Sequence, residues 1–229
     1  MKKTTFIVLV ALLFTFTCKT FAQKGEKVFK GVINFEISFP DNKFDAATLA
    51  QLPKLMIMTV GEAQSKTVLD AGMFSQSTIT DANAKTSVTL MDIMGQKMLI
   101  KKTKEEIEKE IEKNPSPKIV LSDETKEIAG YTCKKAEITT MDPDQGDKEI
   151  TFTVYYSEEL GNEKLNFEGL FRGLNGLPLE YNIDANSMKM KFTATSVKKQ
   201  KVTDKDFEIP EGYKEVTKEE LQNMFGGGQ

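Results

Sequence analysis

Hydrophobic and polar residues alternate along much of this chain. In the stretch FKGVINFEISF (29–39), phenylalanine and isoleucine fill one set of alternate positions, while lysine, asparagine, glutamate and serine fill most of the other. The same period of two recurs in EITFTVYYS (149–157) and in SMKMKFTATSV (187–197). Alternation of this length predicts antiparallel strands with one buried face and one solvated face.

Shorter strand-like segments fill most of the remaining chain, separated by AG, ANA or MG, which are short enough for β-hairpins. Two segments have helical spacing instead, and each begins with a capping box: TKEEIEKEIEK (103–113) and TKEELQNMF (217–225). A third short helix is predicted in FDAATLAQL (44–52). The order of elements shows neither a βαβ rhythm nor an internal repeat.

This order of elements predicts a mainly β (α+β) fold. We expect a large, twisted antiparallel sheet that forms a half (unclosed) barrel, with two or three short helices against or plugging its concave face. No linker is long enough to divide the chain, so residues 23–225 are expected to form one domain. Residues 226–229 are expected to be a flexible tail.

The first 22 residues have the pattern of a cleavable signal peptide. Lys2 and Lys3 precede an apolar run, and small residues favour cleavage after Ala22. The run is too short to span a bilayer, and we expect no integral membrane segment. Cys18 does not follow the aliphatic and small residues that a lipidation site requires. The sequence therefore predicts a periplasmic or secreted protein.

Charge and residue usage argue against several function classes. Removal of residues 1–22 lowers the 31 basic residues by three, to 28 against 34 acidic ones, a net charge of −6. This balance argues against nucleic-acid binding, which needs a basic surface. The chain has no histidine, and after cleavage Cys133 is its only cysteine. Because nucleophile-elbow, phosphate-loop and dinucleotide motifs are also absent, we predict a protein that is not an enzyme, with no catalytic residue, cofactor or metal.

The acidic stretch DPDQGD (142–147) is the one segment that suggests calcium. Its glycine and the residue in the last loop position do not match the spacing of a calcium-binding loop. A hairpin turn explains the same residues, and we predict a turn without metal.

The segment FEGLFRGLNGLPLEY (167–181) combines three glycines, four leucines and Arg172, the only arginine of the chain. Its glycines lead into a strand rather than a helix, which argues against a phosphate-binding loop. It also lacks the basic face of a membrane-surface helix. We expect it to cover one end of the half barrel, either as a plug of the core or as a gate for a ligand. The side chains expected to do so are Leu170, Phe171, Arg172, Leu174 and Leu177.

Three motifs together resemble a known group of secreted proteins: ETKEIAGYTCKKAEI (124–138), GLPLEY (176–181) and DFEIPEGYKEV (206–216). They are similar to periplasmic proteins of unknown function with a LolA/LolB-like lipoprotein-carrier fold, and more weakly to GLPGLI-type secreted proteins. The resemblance implies an unclosed barrel with a hydrophobic concavity. The carriers have a functional arginine early in the chain, whereas this chain has only Arg172, so lipoprotein transport is not carried over.

The alternating strands place methionine and aromatic residues where they would either line an apolar cavity or fill an ordinary core. The candidate lining residues are Phe35, Met58, Phe152, Tyr156, Met190 and Phe192. The leading hypothesis is a non-catalytic binding or carrier module for an apolar ligand, such as an acyl chain or lipid-like group. The alternative is a structural or interaction protein of the envelope, with a filled core and a protein partner.

Overall fold

The computed structural model describes residues 28–40, 43–141, 148–161, 163–185 and 188–225. The predicted signal peptide, the predicted turn at 142–147 and the predicted tail at 226–229 lie outside the described residues.

Twelve strands of the described residues form one sheet, in the order β12-β6-β5-β4-β3-β2-β1-β11-β10-β9-β8-β7. In chain order the strands are β1 Gly31–Ser38, β2 Leu55–Val60, β3 Gln64–Asp70, β4 Phe74–Asp81, β5 Thr86–Ile93, β6 Gln96–Lys102, β7 Lys118–Ile128, β8 Tyr131–Met141, β9 Glu149–Ser157, β10 Leu177–Ala185, β11 Met188–Lys199 and β12 Lys214–Glu215. Every neighbouring pair is antiparallel except β12 and β6. The sheet does not close, which confirms the predicted half barrel.

Three short helices accompany the sheet: α1 Ala46–Gln51, α2 Lys104–Lys113 and α3 Lys218–Phe225. The capping box predicted for α2 is present, since Thr103 and Glu106 exchange side-chain and backbone hydrogen bonds. Ile107 is the buried residue of α2, as expected of a helix that rests on a sheet. None of the described helices is long and apolar enough to cross a membrane.

The first strand lies in the middle of the sheet. From β1 the chain proceeds by hairpins to β6, crosses through α2 to the opposite edge, and returns by hairpins from β7 to β11, which pairs with β1. Phe35 therefore lies between Met56 of β2 and Ala194 of β11. Strand β1 therefore joins the part of the sheet formed by β2–β6 to the part formed by β7–β11.

The main hydrophobic core lies on the face of the sheet that carries Ile33 and Phe35, which we call the inner face. Buried side chains of β1, β2 and β8–β11 contribute to this core, together with residues of the connection between β9 and β10. Its largest fully buried members include Tyr156, Phe35, Ile33 and Ile138. The apolar positions of the alternating strands thus supply most of the stabilising burial.

Beyond β2 the inner face carries hydroxyl side chains as well as apolar ones. One cross-strand row runs from Ile33 through Met58 to Thr67, Thr78 and Thr89. The buried or half-buried hydroxyl side chains of β3–β5 on this face are Ser65, Thr67, Thr78, Thr80, Ser87 and Thr89, and we call them the hydroxyl face. The apolar side chains of β3–β5 are divided between the two faces: Leu69, Phe74, Met91 and Ile93 share the inner face with these hydroxyl groups, and Val68, Ile79, Val88 and Leu90 lie on the opposite, outer face.

A second, smaller cluster forms on that outer face. Ile79, Leu90 and Leu99 pack there around Phe207, which belongs to the 3₁₀ turn Asp204–Phe207. The segment that follows this turn supplies β12, which pairs with β6 at the edge of the sheet. The C-terminal segment therefore covers apolar surface that the main core does not reach.

Candidate functional site

Residues 167–176, which we call the cover segment, connect the 3₁₀ turn Glu163–Asn166 to β10. Phe171 of this segment packs edge-on against Tyr181, with 4.9 Å between ring centroids, and against Phe152 at 6.0 Å. Tyr181 in turn stacks on Phe192 at 4.8 Å. The rings of Phe152, Tyr181 and Phe192 thus form an aromatic floor on the inner face, and Phe171 lies on it.

The buried side-chain amide of Asn166 holds the base of the cover segment in place. Asn166 Nδ2 donates to the carbonyl oxygens of Leu174 at 2.7 Å and Gly176 at 2.8 Å, and the Gly173 N–H donates to the Asn166 carbonyl. Gly176 has φ +140°, and a Cβ there would lie 2.6 Å from the Ser157 carbonyl oxygen. Glycine is therefore required where the segment enters β10.

Arg172 ties the cover segment to the connection between α2 and β7. Its Nη2 donates to the carbonyl oxygens of Asn114 at 3.2 Å and Pro115 at 2.7 Å. Both acceptors are neutral backbone groups, so the two loops are connected by hydrogen bonds and not by an ion pair.

Two open cavities flank the cover segment. The first has a volume of about 590 Å³, and the apolar part of its wall consists of Ile150, Phe152, Leu170, Ile183 and Met190. The second has a volume of about 330 Å³ beneath α2, and its apolar wall includes Ile107, Ile111, Met141 and Leu170. Leu170 therefore lines both cavities, and the cover segment lies between them.

Each cavity also has charged walls. Lys148, Asp184, Lys189 and Lys191 border the first cavity. Lys102, Glu110, Glu168, Arg172 and Lys218 border the second. In the second cavity, burial raises the pKa of the Glu168 carboxyl, and Lys102 together with a hydrogen bond to Ser87 opposes this shift. Both cavities are amphipathic, with an apolar interior side and a charged outer side.

The structure brings some of the predicted lining residues together and separates others. Phe35, Phe152, Tyr156 and Phe192 are buried in the main core, and Met58 and Met190 pack against it. Phe152 and Phe192 belong to the aromatic floor, and Phe152 and Met190 also line the first cavity. Phe35, Met58, Tyr156 and Phe192 line neither of the two cavities.

The predicted plug residues also differ in their surroundings. Leu170, Phe171 and Arg172 are half-buried, whereas Leu174 and Leu177 are fully buried. Leu174 therefore belongs to the anchored base of the cover segment and Leu177 to the start of β10, whereas Leu170 and Phe171 form the part of the segment over the inner face. Whether this part acts as a plug or as a gate remains a prediction.

Two residues of the site were missed by sequence reasoning. Tyr181 is the central ring of the aromatic floor, is 7% exposed, and lies near enough to Met56 for its hydroxyl to donate to the sulfur at 3.9 Å. Burial raises the pKa of the Tyr181 hydroxyl, which therefore stays neutral. The alternation in LEYNID already placed this tyrosine on the same face as Ile183. Glu168 has no such signal, because its burial depends on α2, which is distant in sequence.

The remaining chemically reactive candidate is Cys133, which is buried in the main core. Burial, with a smaller effect from Glu127, raises the pKa of its thiol to about 11. A thiol of this kind is a poor nucleophile at neutral pH. Among the described residues, no group of three or more cysteine or acidic side chains is close enough to hold a metal ion.

No protein-family model matches this chain, and no curated protein matches it. The resemblance to LolA/LolB-like proteins therefore stays a prediction. The half barrel itself follows from the strand order and does not depend on that resemblance.

Proposed function

We propose that this protein is a non-catalytic binding or carrier module for an apolar ligand, such as an acyl chain or lipid-like group. The ligand would lie on the aromatic floor, in the space that the cover segment now divides. The observation that carries this proposal is the position of Leu170 in the wall of both cavities, next in sequence to Phe171, whose ring packs on the aromatic floor. Movement of these two side chains would join the cavities into one chamber.

The size of the cavities supports a small-molecule ligand. Their volumes of about 590 and 330 Å³ fall within the range of about 300–1,000 Å³ that is typical of ligand pockets. Apolar residues are a minority of each lining, and the leucine, isoleucine, methionine and phenylalanine side chains among them form the part that would hold an aliphatic chain. The charged outer walls would leave the polar end of such a ligand in contact with water.

The same proposal includes a location outside the cytoplasm. The signal-like residues 1–22 support a periplasmic or secreted protein.

Titration of the purified protein with a fluorescent long-chain fatty acid tests this function. We expect saturable binding to the wild-type protein and about tenfold tighter binding to Phe171→Ala, because the floor is then open without displacement of a side chain. Phe207→Ala is the matched control, since it removes a phenylalanine from the outer-face cluster, away from both cavities. It should bind as the wild type does.

Two results would contradict the proposal. One is the absence of saturable binding by both the wild-type protein and Phe171→Ala, provided that both are folded by circular dichroism. The other is an equal affinity of all three proteins, which would locate the ligand away from the aromatic floor.

One observation favours the alternative, an interaction protein of the envelope. Phe171 already fills the space above the aromatic floor, so the core needs no ligand to be complete. In this case the fatty acid would not bind, and cross-linking in the native host would yield a specific partner protein. Recovery of uncross-linked protein alone would count against this alternative.

A further inference from the structure

The two edges of the sheet differ in whether another segment of the chain pairs with the edge strand. At one edge the chain covers β6 with its own strand β12, and the Val216 N–H donates to the Leu99 carbonyl oxygen at 2.9 Å. At the other edge, no strand among the described residues pairs with the outer side of β7. Residues 118–127 of β7 are exposed, except for half-buried Ile119. An open edge of this kind offers backbone groups to another strand.

Apolar side chains lie along this open edge. Val120 is 49% exposed and Leu121 is 65% exposed. Ile119 and Leu121 pair with Ile138 and Ala136 of β8, which places them on the inner face, and Val120 lies on the outer face. A strand added here would therefore gain apolar contacts on both faces of the sheet.

The ends of the available edge are well defined. Pro117 precedes β7 and has no N–H to donate. After Leu121 the pairing of β7 with β8 is irregular until Thr125, so a β-bulge ends the regular edge. The segment that can accept a new strand is thus Lys118–Leu121, extended at most to Ser122.

This short segment is complementary to itself. When two copies pair antiparallel around a twofold axis perpendicular to the sheet, residues opposite each other must lie on the same face. An axis at Val120 satisfies this condition and places Ile119 of one copy opposite Leu121 of the other. An axis at Ile119 would bring Pro117 into the ladder, and an axis at Leu121 would bring in the bulge. Val120 is therefore the residue that the geometry selects for the axis.

We propose that a second copy of this chain pairs with β7 around a twofold axis at Val120, so that the two twelve-stranded sheets become continuous. Charge supports this arrangement, because Lys118 at one end of the segment lies opposite Ser122 of the other copy and thus approaches the carboxylate of Asp123. The contact is small, so the dimer is weak and depends on protein concentration. The proposal is independent of the ligand discussed above.

A cysteine on the axis tests the register directly. Under mild oxidation, Val120→Cys should form a disulfide-linked dimer, because the two residues 120 face each other. Glu127→Cys, also exposed on β7 but far from the axis, is the matched control and should remain monomeric. The wild-type protein controls for Cys18 and Cys133. Equal cross-linking of the two variants, or none by Val120→Cys, would overturn the proposed register.

A second variant tests the association without covalent chemistry. Val120→Lys places two ammonium groups on the axis. We expect the association constant of the dimer, measured by sedimentation equilibrium, to fall about tenfold. Because Val120 is exposed in the monomer, the melting temperature at low protein concentration should not change. A wild-type protein that is monomeric up to its solubility limit would refute the dimer.

Discussion

The apolar side chains of the two halves of the sheet are covered by different segments of the chain. On β1 and β8–β11, apolar side chains lie on the inner face, and the cover segment closes over them. On β3–β5, the inner face carries hydroxyl groups, and the apolar cluster lies on the outer face beneath Phe207. The sheet therefore carries a second apolar cluster on its outer face from β4 to β6, behind the hydroxyl face.

This difference indicates where a ligand can and cannot bind. The hydroxyl face mixes hydroxyl groups with its apolar side chains, whereas the aromatic floor consists of packed rings and is covered by a loop that is attached at a few points. Those points are the Asn166 amide, the hydrogen bonds of Arg172, and the hydrogen bond between Glu168 and Ser87. A ligand is therefore expected on the apolar half, because a loop and not a strand covers that part of the sheet.

The largest expected effect comes from removing one phenylalanine from each half. Phe35→Ala should lower the free energy of unfolding by about 3–5 kcal/mol, because Phe35 is 1% exposed in the main core. Phe207→Ala should lower it by only about 2 kcal/mol, because the C-terminal segment can leave the outer face without opening a cavity. Urea unfolding of both variants measures the difference, and equal losses would contradict the distinction between the halves.

The next effect concerns the base of the cover segment. Asn166→Ala should destabilise the protein by about 2–3 kcal/mol, because the carbonyl groups of Leu174 and Gly176 lose a buried donor. Asn175→Ala, at an exposed position of the same segment, is the control and should change the free energy of unfolding by less than about 0.5 kcal/mol. A loss as small for Asn166→Ala would mean that the amide does not hold the segment.

Two carboxyl groups of the apolar half should respond to pH in opposite directions. On the outer face, burial opposes ionisation of Glu180, but its contacts with Lys126 at 2.7 Å and Lys191 at 3.3 Å prevail and lower its pKa from 4.5. The stabilisation is present above the unfolded-state pKa and is lost as pH falls through the folded-state pKa. In urea unfolding between about pH 6 and 3, Glu180→Gln should therefore lose less stability than the wild type. Parallel curves would contradict this role.

For Glu168 the sign is reversed. Burial raises its pKa above 4.5, so its contribution to stability is present at low pH and is lost as pH rises through the folded-state pKa. Glu168→Gln should thus gain stability relative to the wild type between about pH 4 and 7. The same titration by urea unfolding checks this, and a relative loss over this interval would show that the carboxylate is well solvated.

The smallest effect belongs to the hydroxyl face. Thr80→Val removes the partner of the buried Ser65 hydroxyl, which lies 2.7 Å away, and should cost about 1 kcal/mol in the free energy of unfolding. Thr78→Val, on the same face, should change it by less than about 0.5 kcal/mol. A gain in stability by Thr80→Val would show that this face tolerates apolar side chains as the other half does.

The sequence predicted the fold class because the strands alternate clearly and their hairpin loops are short. The half barrel, the short helices and the capping box of α2 follow from patterns within a few residues of one another. The hydroxyl face was also encoded, since it is formed by pairs at alternate positions of single strands: Ser65 and Thr67, Thr78 and Thr80, and Ser87 and Thr89. It was missed because alternation alone does not say which face points toward the core.

The candidate site was predicted less completely. Phe152 and Phe192 were assigned to a common apolar surface by their strand positions, and both belong to the aromatic floor. The role of Tyr181, the burial of Glu168 and the contact of Arg172 with the α2–β7 connection depend on how distant segments meet. No local periodicity reports such contacts.

The most direct test uses the absence of tryptophan from the chain. Phe171→Trp would place a single tryptophan over the aromatic floor, where its fluorescence emission reports burial. If the cover segment moves when an acyl ligand occupies the floor, addition of an unlabelled long-chain fatty acid should shift the emission to longer wavelength, saturably. Ligand binding by calorimetry with no change in the emission of this tryptophan would contradict the proposal that the site lies beneath the cover segment.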